Sequence, residues 1–171
     1  MDTTPSGRIR NTVNAPFTTP WIAPLGKLVM NFAGIEFQSY LWLAYLTKGT
    51  DVLEDATRQR FGSRADRICR LARENLEEPL RADALAAWED AKEVARVRNA
   101  ILHNPVCYWW TGDETGPPGQ VAIIDMRGDR RLIRLPDVNG AVNRSAHIAQ
   151  RLDELLNDVK TWLDRTATLV R

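Results

Sequence analysis

The 171 residues suffice for one ordinary domain and are too few for two comfortable ones. With 44% apolar and 26% charged residues the composition excludes a disordered, collagenous or disulfide-stapled chain, and 23 basic against 22 acidic side chains leave a net charge of only +1. Of the basic residues, 19 are Arg and four Lys, and Arg is the side chain suited to bidentate recognition of phosphate and carboxylate.

Residues 1–18, rich in Thr, Pro, Asn and Gly, read as a flexible arm without the apolar core of a signal peptide. Thr19-Pro20 then resembles an N-cap with a first-turn proline, opening a helix over 21–47 that stops at Lys48-Gly49. Its stretch 25–46 is the most apolar of the chain. It carries Lys27, Asn31, Glu36 and Gln38, which lipid penalises, so a core helix of a cytoplasmic protein is expected and not a membrane span. Asp51 can cap a second helix to about Arg60. Gly62-Ser63 is expected to break the chain before a third helix, from Arg64 to about Leu76. Pro79 opens a fourth, and Pro105 disfavours helix at Asn104, so this one ends near His103.

The texture then changes. Residues 106–110, 120–124 and 131–135 are short β-branched and aromatic runs separated by Gly112–Gly119 and Gly128-Asp129, the pattern of a three-stranded meander. A last helix starts near Asn139 or Asn143 and runs to Leu169. The expected fold is mainly α: a flexible arm, 1–18, and a single helical domain, 19–171, with a β-insertion over about 106–135.

Two charges stand out when the helix faces are drawn at 100° per residue. On the first helix Lys27, Asn31, Gly34 and Gln38 form a polar stripe, and opposite them Glu36 lies among Leu25, Val29, Phe32 and Leu43. On the fourth, Arg98 is centred among Ala84, Ala87, Ala91, Val94, Ala95, Ile101 and Leu102. The simplest arrangement has Glu36 and Arg98 facing each other, either as a structural ion pair or as part of a site. Asn99 and His103 lie beside Arg98. Such a set can bind a phosphodiester and move a proton on it. The imidazole would act as general base on a ribose 2′-hydroxyl or general acid on the leaving oxygen, and the guanidinium would neutralise the phosphorane. No metal ligand spacing is present, and Cys69 and Cys107 read as free thiols.

The segment Val97-Arg98-Asn99-Ala100-Ile101-Leu102-His103-Asn104-Pro105 resembles the R-N-x-x-x-H signature of the HEPN superfamily. The early acidic residue, the β-excursion after the His and the long last helix resemble many bacterial HEPN-like proteins. The resemblance implies a helical, commonly dimeric fold whose two motifs meet in a cleft between subunits. It further implies a metal-independent endoribonuclease, used as a toxin or defence effector in toxin–antitoxin and phage-defence systems. By that resemblance Arg98 and His103 match the catalytic pair, Asn99 the polar residue after the Arg, and Glu36 an orienting acid. RNA, a second subunit and an antitoxin protein are the implied partners, with no cofactor. The motif departs in one place: Pro105 stands where toxins paired with a nucleotidyltransferase antitoxin often carry Tyr. Other members are non-catalytic binding modules, which is the alternative reading.

The run Arg58, Arg60, Arg64, Arg67, Arg70 and Arg73 is either a track for RNA phosphates, with Arg64, Arg67 and Arg70 as binding residues, or a solvated surface with acidic neighbours. Tyr108-Trp109-Trp110 is expected to cap the bundle or a subunit contact more readily than to stack a base, and His147 to lie at the surface.

Overall fold

The computed structural model describes residues 8–11, 19–49, 52–104, 106–110, 120–125 and 132–169, and is mainly helical. Strand β1 (Arg8–Asn11) precedes helices α1 (Thr19–Thr47), α2 (Val52–Arg58), α3 (Phe61–Asn75) and α4 (Leu80–Leu102). Strands β2 (Val106–Trp110), β3 (Gln120–Ile124) and β4 (Leu132–Ile133) follow, and α5 (Leu135–Leu169) ends the fold. The expected glycine-rich connections around 112–119 and 128–129, Pro105 and Asp51 fall outside the described residues, as do the side chains of Tyr108, Trp109 and Trp110. Among the described residues no helix is long and apolar enough to cross a membrane.

Two compact units share the three long helices: residues 1–29 with 96–143, and 30–95 with 144–171. Each has its own apolar core.

In the first unit the antiparallel order is β1-β2-β3-β4. The meander of β2, β3 and β4 is the expected one. The arm adds a fourth strand, with Arg8 opposite Trp110 and Asn11 opposite Cys107. Arg-Ile-Arg-Asn has a single apolar residue, so its strand character comes from the edge of β2 that it pairs with. Ile123 and Ile133, partners across β3 and β4, are buried with Trp21, Leu28, Ile101, Val138 and Ala141.

The second unit is a helical bundle around two indoles. Trp42 and Trp88 are fully buried and meet edge to face, centroids 5.7 Å apart at 84°. Phe32 and Phe61 make a similar contact at 5.1 Å. The indole N–H of Trp42 donates to the Leu152 carbonyl at 3.2 Å, tying α1 to α5.

Helix ends explain most differences from expectation. Phe61 is buried against Phe32, which draws Gly62 and Ser63 into the first turn of α3; the break falls instead at Arg60, in extended conformation at φ −68°, ψ 152°. α5 begins at Leu135, four residues before the earlier expected start. The Asp137 carboxylate accepts the Arg134 N–H at 2.7 Å, and Pro136 sits in the first turn, so a segment of turn-like residues becomes a capped start. α1 ends as expected, in a Schellman arrangement: Lys48 N–H donates to the Tyr45 carbonyl and Gly49 N–H to the Ala44 carbonyl, both at 3.2 Å. The left-handed residue of that motif is Lys48, at φ 55°, not the glycine after it. Lys48→Gly is therefore expected to stabilise the chain by about 0.5–1 kcal/mol, read as a rise of a few degrees in Tm; an unchanged or lower Tm would count against the strain.

α1 also turns its faces differently. Two members of its polar stripe are matched by α5, while Lys27 and Gly34 stay exposed: Asn31 Nδ2 donates to Ser145 Oγ at 3.1 Å and Gln38 Nε2 to Asp153 Oδ1 at 2.9 Å. Gln38 is 8% exposed, whereas Val29, Met30, Phe37 and Tyr45 are 40% exposed or more. Polar partners on α5 decide which side of α1 turns inward.

Candidate active site at the end of α4

Near the C-terminus of α4 the helix carries Arg98, Asn99 and His103, all in the first unit. Asn99 and His103 are four residues apart and share a face, and the His103 N–H closes the last turn on the Asn99 carbonyl at 3.0 Å. Both side chains are exposed. Arg98 continues the line of buried Ala91, Val94 and Ile101 but is itself only half-buried. Its Nη1 donates to Asn99 Oδ1 at 2.8 Å, at the surface. The arginine stem lies along the apolar stripe while its head reaches the polar edge, the usual compromise for a long cationic side chain. Asn104 completes the helix end by donating from Nδ2 to the Ala100 carbonyl at 2.7 Å. The hydrogen bond between neighbours brings a guanidinium and an amide to the end of the helix that presents the imidazole. Such donors suit an anionic oxygen, with a proton-transfer group on the same face.

Glu36 does not complete this set as expected. It belongs to the second unit, where its carboxylate lies 3.3 Å from Nη2 of Arg64 and is 39% exposed. The buried guanidinium is Arg64, 3% exposed on α3, and not Arg98. Arg64 is held on every side: Nε donates to Ser39 Oγ at 2.8 Å, and Nη1 to the Gln59 carbonyl at 2.6 Å and the Ala56 carbonyl at 3.5 Å. Its Cζ lies 4.5 Å from the Tyr40 ring centroid. Ser39 passes the network on by donating to the Glu36 carbonyl at 2.6 Å. This clasp joins α1, the end of α2 and α3. It removes Arg64 from the surface on which both readings of the arginine run, phosphate track or solvated face, had placed it.

Arg67 and Arg70 stay accessible, each beside an acid: Asp55 at 2.8 Å and Glu74 at 3.7 Å. Arg58 likewise meets Glu54 at 2.7 Å. Lys92 is held by Glu89 at 2.8 Å and Asp66 at 2.9 Å, and these bonds, the one to Glu89 foremost, raise its pKa. Acids thus interleave the arginine run. His147 is exposed on α5, as expected. Cys69 and Cys107 are buried thiols outside any disulfide, and burial pushes both pKa values up. Among the described residues no group of three or more His, Cys, Asp or Glu side chains is placed to hold a metal ion.

Sequence reasoning missed Arg64 as the partner of Glu36 because it took the arginine run as one surface. The signal was there: Phe61, Arg64, Ala65, Ile68 and Ala72 share a helical face, so a residue within an apolar i, i+3, i+4 pattern was an interior one. No family model matches the chain, and no curated protein or solved structure matches it.

Proposed function

We propose that the chain is a metal-independent endoribonuclease of HEPN type, acting in the cytoplasm as a homodimer and serving as a toxin or defence effector restrained by an antitoxin protein. The observation that supports this reading is the Arg98–Asn99 hydrogen bond at the helix end where Asn99 and His103 are both exposed. His103 takes the proton of a ribose 2′-hydroxyl, whose oxygen attacks the adjacent phosphorus. The bond from phosphorus to the 5′-oxygen breaks as that oxygen takes a proton from water, leaving a 2′,3′-cyclic phosphate and a 5′-hydroxyl end. Arg98, steadied by Asn99, bears on the negative charge that builds on the phosphoryl oxygens. We assign Glu36 no role in this step, because its carboxylate lies 3.3 Å from Arg64.

Incubation with mixed RNA in EDTA tests the reading. Wild type is expected to leave 2′,3′-cyclic phosphate ends, with His103→Ala and Arg98→Ala each slower by roughly 100-fold or more. RNA left intact by wild type, or cleaved equally by the variants, overturns it. The second reading is a non-catalytic HEPN-like binding module. The acids beside Arg67 and Arg70 favour it, because a surface already neutralised has little free charge to offer phosphates. Intact RNA from wild type and variants alike is its expected result.

A further inference from the structure

Between α1, α2 and α5 of the second unit lies an open groove of about 610 Å³, walled by Leu41, Ala44 and Tyr45 of α1, Leu53 of α2 and Leu163 of α5. Small-molecule sites typically hold roughly 300–1,000 Å³. The walls are fixed in place: Leu41 and Leu163 pack on the buried core, and Lys160 Nζ lies 4.7 Å from the Tyr45 ring centroid. Lys48, Gly49 and Asp164 complete the lining. These polar groups share one end. α1 and α5 run in step, Asn31 with Ser145, Gln38 with Asp153 and Tyr45 with Lys160, which brings Asp164 level with Gly49.

We infer that this groove binds a medium-chain monocarboxylate, with the acyl chain along α1 and the carboxylate at Lys48. Positions 41, 44, 45 and 48 follow helical spacing, so they form a line about 10 Å long on one side of α1, apolar at one end and cationic at the other. An unbranched acyl chain with a single anionic head has the same polarity and a similar length. The charges agree, since Lys48 and Lys160 outnumber Asp164 at that end. The lining offers an ammonium and no guanidinium fork, which suits a lone carboxylate better than a phosphate held in two directions. Lys48 carries a further argument. Its left-handed backbone, at φ 55°, is one that glycine adopts without strain, so the turn itself does not call for lysine. A cation held at the end of an apolar groove gives that strain a use.

This site is on the second unit, does not depend on the ribonuclease reading, and is measured by calorimetric titration without RNA. Wild type is expected to bind decanoate saturably, one to one, in the submillimolar range, with affinity rising about fourfold per methylene from hexanoate to decanoate. Lys48→Gly removes the ammonium while easing the backbone, so the fold is kept and decanoate should bind roughly tenfold more weakly. Decyltrimethylammonium, with the same chain and the opposite charge, should bind wild type at least about tenfold more weakly than decanoate does. Ala44→Leu fills the apolar end with a good helix former; decanoate affinity should fall about tenfold or more while circular dichroism stays native. An absence of saturable decanoate binding overturns the assignment. So does affinity indifferent to chain length, to both substitutions or to the sign of the head group.

Discussion

Arg64→Ala is expected to lower the unfolding free energy by about 3–5 kcal/mol, seen as a Tm fall on the order of 10 °C. The size follows from what the guanidinium touches. It is 3% exposed, and its removal takes away the guanidinium donor that the Gln59 carbonyl, the Ala56 carbonyl and Ser39 Oγ accept where α1, α2 and α3 meet. A cavity beside Tyr40 and Phe61 adds to the loss. Arg64→Lys should recover little, because one ammonium cannot reproduce a planar fork that bonds in three directions. Glu36→Gln separates charge from geometry. The carboxylate is 39% exposed and its bond to Arg64 is 3.3 Å long, so only about 0–1 kcal/mol is expected. A large loss in Glu36→Gln with a small one in Arg64→Ala would mean that the ion pair, and not the hydrogen-bonded clasp, holds the helices.

The second large effect lies at the paired indoles. Trp42→Ala is expected to cost about 3–5 kcal/mol by chemical denaturation, a large share of the roughly 5–15 kcal/mol available to a domain. It removes a fully buried ring, its edge contact with Trp88, and the hydrogen bond from its Nε1 to the Leu152 carbonyl of α5. Trp42→Phe keeps much of the ring and should cost about 1–2 kcal/mol, chiefly the lost N–H bond and some volume. If Trp42→Ala unfolded within 1 kcal/mol of wild type, the bundle core would have to be centred elsewhere.

These two positions show how differently residues reveal their surroundings. Trp42 is read as interior by its type and spacing, since a large apolar side chain at helical periodicity has one stable place to go. Arg64 reads as surface by its type, and only the apolar neighbours three and four residues away betray it. The candidate site is of a third kind. Arg98, Asn99 and His103 are close in the chain, so helix geometry alone places them at one end of α4, and the Arg98–Asn99 bond is local. Glu36 needed a partner from a distant segment, and face analysis named the wrong arginine because it compared α1 with α4 and left α3 at the surface.

Local chemistry was therefore enough for the helices, the meander, the α1 stop at Lys48 and the grouping of the α4 motif. Each depends on periodicity, caps, turn formers or residues within one turn of each other. Pairing across the chain was not readable. The edge that recruits Arg8–Asn11, the polar seam that sets which side of α1 is buried, the division into two cores and the union of Glu36 with Arg64 depend on partners tens of residues away. A polar or charged side chain has many acceptable partners in water. Which one it takes is decided when the packed helices exclude that water.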